Sequence, residues 1–249
     1  MTYQEPNAIL ICGDAREVLK TLPAESVDLV MTSPPYNCNK MDGDNLSPGE
    51  WFGMLRDVQI ECYRVAKPGA WAVWNIPWWF SHRPKIYVPD KFNIQTTELG
   101  WQFQDIVIWI KSSNPETPQA SGTGWGNFPT YPRFRMASEP IMFFRKPGKS
   151  LPGERNLTMA DWVKLTIGVW TICGRSDDKH PSTFPEEIPR RAICLLCPLN
   201  GTVLDPFAGS GTTLQVAKRM GIKSIGIEIS EKYHKLAIRR ISNTTGRMI

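Results

Sequence analysis

The sequence predicts a single α/β domain over residues 1–249, built on a doubly wound, mostly parallel sheet, and three observations carry that reading. Short apolar runs that suit buried strands alternate along the chain with stretches of helical apolar rhythm, as strand–helix–strand units require. The clearest such unit lies in the last third, where a glycine-rich turn joins a strand to a helix. The length, 249 residues with 41% hydrophobic and 21% charged side chains, suits one large domain.

Taken in order, "NAILICGDA" reads as a short buried strand running into a Gly-Asp turn, and "AREVLKTLP" as a short helix closed by Pro23. "SVDLVMTS" is a second strand. The helical rhythm of Trp51, Met54, Leu55, Val58, Cys62 and Val65 predicts a helix that stops at the first Lys-Pro-Gly. "AWAVWNI" is the next strand, "DKFNIQTTELG" a helix ending at Gly100, and "WQFQDIVIWIK" and "SEPIMFFRKPG" two further strands, the latter ending in the same turn chemistry. Thr158 is placed to cap a short helix in "TMADWVKLT". "TFPEEIPRRAICLLC" reads as a helix start with Thr183 near the cap, Pro185 early, and Glu186 and Glu187 in the first turn, where the helix dipole favours acids. Strand "TVLDPF", loop "AGSG", helix "TTLQVAKRM" closed by Gly221, strand "KSIGIEI" and a helix with Ser230 as N-cap complete the chain.

Composition narrows the function classes. No apolar run approaches membrane-spanning length, and "MTYQEPNAIL" lacks the basic and apolar regions of a signal peptide, so a cytoplasmic protein is expected. The net charge of +5 hints at a polyanionic partner. Ten tryptophans and 21 prolines, concentrated between Trp71 and Pro140, suggest long ordered aromatic loops. Six scattered cysteines give no disulfide framework; Cys194 and Cys197 form a lone CxxC inside an apolar helical pattern and read as small core residues, so no metal is expected. His82 and His234 read as surface residues, and Arg190, Arg191, Arg239 and Arg240 as solvated helix faces.

Two motifs carry chemistry. In "LDPFAGSGTT" (204–213), a strand ends in a loop whose Gly209 and Gly211 allow a tight turn and close approach to a ligand. Glu228 ends the following strand, 23 positions after Asp205, where an acid binds ribose hydroxyls in dinucleotide folds. The pattern is neither GxGxxG nor a P-loop, so the ligand expected is a nucleoside without a pyrophosphate. In "TSPPYN" (32–37), two prolines end a buried strand and stiffen the loop at its carboxyl end, where open α/β sheets bind ligands. Ser33 offers a small hydroxyl and Tyr36 a face on which a planar base can stack.

Together these motifs resemble the amino-methyltransferases of DNA, which move a methyl group from S-adenosylmethionine to an exocyclic base nitrogen. In that family a [DNS]-P-P-[YF] loop is catalytic and D-P-F-x-G-x-G-T-T binds the cofactor. Here the catalytic motif comes first, by about 170 positions, an order that resembles the circularly permuted β-class. "GDAREVL", "ASEPIMFFRKPG", "VWTI" and "HPSTFPEEIPRRAI" resemble further family segments, so the likeness spans nearly the whole chain. It implies a Rossmann-like sheet of the S-adenosylmethionine-dependent methyltransferase type, with S-adenosyl-L-methionine as cofactor and double-stranded DNA as partner. It allows a homodimer and a separately acting cognate restriction endonuclease, in a prokaryotic or phage-encoded system.

Carried over residue by residue, the resemblance makes Ser33, Pro34, Pro35 and Tyr36 the catalytic loop. Ser33 and the Pro34 carbonyl would accept hydrogen bonds from the target amino group, and Tyr36 would stack on a base flipped out of the duplex. It gives cofactor contacts to Asp14, His180, Pro181, Ser182, Phe184, Asp205, Pro206, Phe207, Gly209, Ser210, Gly211, Thr212 and Glu228. The candidate DNA-facing loops are 37–50, 112–137 and 149–168, with Lys40, Lys111, Trp125, Arg133 and Arg135 as candidate DNA contacts. The reaction implied is direct displacement at the methyl group, in which proximity and orientation supply most of the catalysis. No Pro-Cys occurs, which sets the chain apart from C5-cytosine enzymes. In the family a serine before the prolines accompanies cytosine N4 more than adenine N6, so N4-cytosine is expected; an N6-adenine enzyme of the same architecture, or an RNA or protein amino-methyltransferase, is the alternative.

Overall fold

A computed structural model of the chain describes residues 1–37, 46–80, 85–112, 136–151, 157–173 and 184–245. Among these the strands are β1 Thr2–Glu5, β2 Ala8–Cys12, β3 Val27–Thr32, β4 Ala66–Asn75, β5 Gln102–Ile110, β6 Ser138–Arg145, β7 Val169–Thr171, β8 Thr202–Asp205 and β9 Lys223–Glu228. The helices are α1 Ala15–Val18, α2 Pro48–Val65, α3 Val88–Glu98, α4 Met159–Leu165, α5 Glu187–Leu196, α6 Thr212–Arg219 and α7 Glu231–Ser242.

The strands form one sheet in the order β1-β2-β9-β8-β3-β4-β6-β5-β7. From β2 to β4 every neighbouring pair is parallel; β1 and β6 run against the rest, and β7 pairs parallel with β5. The doubly wound, mostly parallel sheet expected from the alternation of elements is therefore present. All six residues of β3 are buried, as befits a central parallel strand covered on both faces. The strand period of two then sorts the core. Val30, Ala72, Trp74, Met142, Phe144 and Leu204 face α2 and α3, while Leu29, Met31, Val73, Phe143 and Val203 face α5 and α6. A smaller cluster of Ala8, Leu10, Leu214, Ala237 and Ile241 seats α7.

Local sequence fixes several helix ends. Thr158 caps α4 as expected, forming a capping box with Asp161, and Ser47 and Glu50 form a second box at the start of α2 that the sequence reading did not name. Ser230 occupies the N-cap of α7, but its side chain makes no capping bond. Other boundaries differ. The polar segment β1 escapes a reading based on apolar runs, and it forms because its backbone pairs antiparallel with the edge of β2. β4 starts at Ala66, so the first Lys-Pro-Gly lies inside the strand. Gly69, at φ 84°, donates its N–H to the Lys146 carbonyl, and Lys146 donates back to Ala70, so the two Lys-Pro-Gly turns pair with each other. The Lys146 ammonium donates to the Tyr63 and Ala66 carbonyls at the end of α2, with burial lowering its pKa. α5 starts at Glu187, with Glu186 as N-cap and Pro185 before it, so its cap falls three positions after Thr183. Thr183 lies outside the described residues.

The chain winds from β3 through α2 to β4 in one direction, and from β8 through α6 to β9 in the other. β3 and β8 are adjacent. The winding thus reverses between them, and the crevice outside the carboxyl ends of such a pair is where open α/β sheets bind ligands.

Candidate active site

The two chemistry-bearing loops leave the sheet from these adjacent strand ends, and one buried carboxylate ties them together. Asp205, at the end of β8, is 1% exposed. Its Oδ1 accepts from Thr32 Oγ1 of β3 at 2.6 Å and from the Phe207 N–H at 3.1 Å; its Oδ2 accepts from Thr213 Oγ1 of α6 at 2.6 Å. Burial pushes its pKa up from 3.8 to about 6, against the pull of the three hydrogen bonds. Asp205 therefore joins the last residue before the Ser-Pro-Pro-Tyr loop, the glycine loop and the first turn of α6.

Glu228, at the end of β9, is 9% exposed. Its Oε2 accepts from the Gly209 N–H and its Oε1 from the Ser230 N–H, both at 2.8 Å. Burial raises its pKa, and the two backbone donors oppose that. Each oxygen keeps a second lone pair, the capacity needed to accept from two neighbouring hydroxyls. The next residue, Ile229, is 69% exposed and extends an apolar side chain beyond the strand end. Gly211 caps α6 at φ 81°, and a Cβ there would lie 2.9 Å from the Ala237 Cβ, so both conformation and the closeness of α7 require glycine. The Arg240 guanidinium of α7 braces the loop from behind. It donates to Ser210 Oγ and Thr212 Oγ1, both at 3.1 Å, to Gln215 Oε1 at 2.5 Å and to Glu186 Oε1 at 3.2 Å. Arg219 holds the other oxygen of Glu186.

On the other side of the crevice, Ser33, Pro35 and Tyr36 are half-buried and Pro34 is buried. The indole Nε1 of Trp51, wholly buried in α2, donates to the Pro35 carbonyl at 2.6 Å. Asn37, at φ 53°, exchanges hydrogen bonds with the Leu46 backbone through Nδ2 and Oδ1, clasping the chain on either side of 38–45. The Tyr36 hydroxyl donates to Glu139 Oε2 at 2.7 Å. Glu139 also accepts from Asn75 Nδ2 at 3.1 Å and pairs with the Lys111 ammonium. Asn75 Oδ1 is buried and has no partner among the described residues.

The structure thus brings Ser33, Pro34, Pro35, Tyr36, Asp205, Pro206, Phe207, Gly209, Ser210, Gly211, Thr212 and Glu228 to the carboxyl ends of three consecutive strands of the sheet, β3, β8 and β9. Several roles differ from the sequence expectation. The Asp205 carboxylate is used by its own chain, because a charge buried this deeply must be paired. Ser210 and Thr212 turn their hydroxyls to Arg240. The Lys111 side chain is 19% exposed and engaged with Glu139, which places it beside Tyr36. Asp14 caps α1 and pairs with Arg16 at 2.6 Å, which holds its pKa low; its neighbour Gly13 donates to the Glu228 carbonyl at 3.0 Å. Phe184 packs against the α5–α6 core. His180, Pro181, Ser182, Lys40, Trp125, Arg133, Arg135 and His82 lie outside the described residues, as do 38–45, 113–135 and 152–156 of the expected DNA-facing loops.

Three surface expectations are corrected. His234 is 2% exposed, with its ring 3.3 Å from the Leu10 carbonyl, because α7 turns that position onto β2. Arg190 and Arg191 both pair with Glu187 one turn back, and Arg240 is drawn into the loop network; Arg239 alone of the four is exposed. Sequence reasoning missed Thr32, Trp51, Asn75, Glu139, Glu186, Thr213 and Arg240. A polar residue closing an apolar strand (Asn75) and an acid opening one (Glu139) were the available signals; the others show only once the chain is folded.

A cavity of about 350 Å³ opens elsewhere, between α4 and α5, lined by Asp161, Lys164, Glu187, Arg190 and Cys194 among others; no residue of the two loops lines it. Among the described residues no cluster of His, Cys, Asp or Glu could hold a metal ion, and no helix is long and apolar enough to cross a membrane.

A family model described as DNA methylase matches residues 27–239. The chain is 29% identical over 249 residues to the Type II methyltransferase M.HpaI of Haemophilus parainfluenzae, across 94% of this chain and 74% of that one. It is 29% identical over 263 residues to the DNA adenine methyltransferase YhdJ of Escherichia coli K12, across 93% and 82%. Among solved structures, a protein of Thermus thermophilus described as a DNA modification methylase, complexed with S-adenosyl-L-methionine, superimposes with a TM-score of 0.74 at 29% identity, across 94% of this chain and 93% of that one.

Proposed function

The chain belongs to the N6/N4 family of DNA methylases, and on that premise we propose that it transfers a methyl group from S-adenosyl-L-methionine to the exocyclic N4 of a cytosine flipped out of duplex DNA. The observation that carries the reading is the adjacency of β3 and β8, which puts a Ser-Pro-Pro-Tyr loop beside a nucleoside-type glycine loop at the reversal of winding. The residues fit the cofactor. Left-handed Gly209 leaves backbone uncovered, Gly211 turns the loop tightly into α6 against α7, Glu228 has lone pairs for ribose hydroxyls, and Ile229 offers an apolar face to a purine. Asp205 and Arg240 act from beneath, by fixing the loop.

S-adenosyl-L-methionine, when bound, supplies an already activated methyl group, so the work left to the chain is orientation. Ser33 Oγ and the Pro34 carbonyl accept from the target amino group and draw its lone pair out of the ring. Trp51 fixes the Pro35 carbonyl and with it the path of the loop. Tyr36 presents its ring to the extruded base. Serine in place of aspartate at position 33 supports cytosine, because in this family a serine there accompanies cytosine N4 more than adenine N6. The likeness to YhdJ supports a second reading, an N6-adenine enzyme with the same machinery. Kinship with Type II methyltransferases extends the proposal to a restriction–modification setting with a separately acting endonuclease.

Methylating duplex DNA with the purified chain, digesting it to nucleosides and weighing these by mass spectrometry tests both readings. N4-methylcytosine is expected. N6-methyladenine overturns the choice of base, and label found in RNA with none in duplex DNA overturns the choice of substrate.

A further inference from the structure

We propose that Glu139 is the positioning residue of the target-base pocket, fixing the plane of the Tyr36 ring through its hydroxyl and the orientation of the Asn75 amide through its N–H. The inference rests on the reading above, in which Tyr36 meets the extruded base.

Strand register brings these residues together. In β5–β6 Glu139 lies opposite Trp109, and in β4–β6 Asn75 lies opposite Ile141. Trp109, Ile141, Val73 and Phe143 share the core face toward α5, so the period of two sends Asn75, Glu139 and Lys111 to that same face. β6 runs against β4 and β5, so its first residues meet their last ones, beside the loop that leaves β3.

The chemistry of the cluster is directional. A carboxylate only accepts, so Tyr36 and Asn75 must each donate to Glu139 Oε2, at 2.7 and 3.1 Å. The Glu139 side chain is 12% exposed, and the Lys111 ammonium on its other oxygen offsets the cost of holding a charge there. The two prolines fix the backbone of the loop. A charge-assisted bond to a residue 103 positions away anchors the Tyr36 ring at its hydroxyl end. The same carboxylate forces the amide of Asn75 to turn its N–H₂ toward Glu139, which leaves Oδ1 without a partner among the described residues, one residue beyond the Thr32–Trp74 pair that closes the β3–β4 ladder. Glu139 thus holds the stacking ring by its hydroxyl and fixes the orientation of the Asn75 amide beside it.

The experiment compares the wild-type chain with Glu139→Gln, Tyr36→Phe and the double variant, in steady-state methyl transfer to duplex DNA. Loss of one charge-assisted bond is expected to lower kcat about ten- to hundredfold in each single variant. KM for S-adenosylmethionine is expected to stay within about twofold, since the cofactor loop is untouched. If Glu139 acts through the Tyr36 hydroxyl, the double variant is no slower than the slower single one. Wild-type kcat in Glu139→Gln, multiplied effects in the double variant, or a cofactor KM that rises as kcat falls would each overturn the proposal. Thermal melting and calorimetric cofactor binding establish that the variants fold. Should Glu139→Gln not fold, Tyr36→Phe decides alone, with wild-type kcat overturning the proposal. A wild-type chain that methylates no DNA sinks the functional reading instead, so the two failures are distinct.

Discussion

Replacing Asp205 by asparagine removes the one charge that the fold buries between its two functional loops while keeping the shape of the side chain. The amide oxygen still accepts from Thr32 and Phe207, and the Thr213 hydroxyl rotates to accept from the new N–H₂. In the wild type the folded carboxyl holds its proton up to about pH 6, whereas the unfolded one releases it near 3.8. Between those values the folded state binds more protons, so this group's contribution to stability is present in acid and is lost as pH rises through the folded pKa. At about 1.4 kcal/mol per pKa unit, the loss approaches 3 kcal/mol. Lifting the like-charge push on Glu228 adds to the difference in the same direction. Urea unfolding of both proteins at half-unit steps from pH 4 to 7.5 isolates the effect of Asp205 and the group coupled to it, because groups that do not sense Asp205 cancel in the difference. Asp205→Asn is expected to gain about 2–3 kcal/mol on the wild type across that range. A difference that stays flat within about 0.5 kcal/mol would mean that water reaches the carboxylate, and the account of a dry brace between the loops would fail.

Three further outcomes follow from the same geometry. Gly211→Ala forces a left-handed alanine against Ala237 and is expected to cost about 2–4 kcal/mol, read by urea unfolding, together with lost cofactor binding. Arg240→Met releases Ser210 and Thr212 and is expected to raise the cofactor KM about tenfold while kcat at saturating cofactor holds within about twofold; an unchanged KM would deny the brace. Trp51→Phe leaves the Pro35 carbonyl without its donor and is expected to lower kcat several-fold and stability by about 1–2 kcal/mol, with cofactor affinity unchanged by calorimetry.

The legible part of the fold was whatever local chemistry encodes. The buried run of β3, the cap at Thr158 and the glycine loop before α6 all announce themselves within a few residues. β1 did not, because its pairing comes from a neighbour's backbone and not from its own polar side chains. The candidate site was legible to the same depth. Ser33, Tyr36, Gly209 and Glu228 stand in recognisable patterns. What joins them does not: Thr32 meets Asp205 across 173 positions, Tyr36 meets Glu139 across 103, and Arg240 reaches Ser210 across 30. The sequence reading of His234 as a surface ring failed for the same reason, since only the folded sheet supplies Leu10 as its partner, and the pairing of Lys111 with Glu139 was hidden in the same way.

The central claim is that the crevice between the carboxyl ends of β3 and β8 is where methyl donor and target base meet. A crystal structure of the chain with S-adenosylhomocysteine tests it most directly. The account predicts the ribose hydroxyls on the Glu228 carboxylate, the amino-acid end on the backbone of 207–211 and the sulfur turned toward Ser33. Cofactor density in the cavity between α4 and α5, or a ribose remote from Glu228, would contradict it.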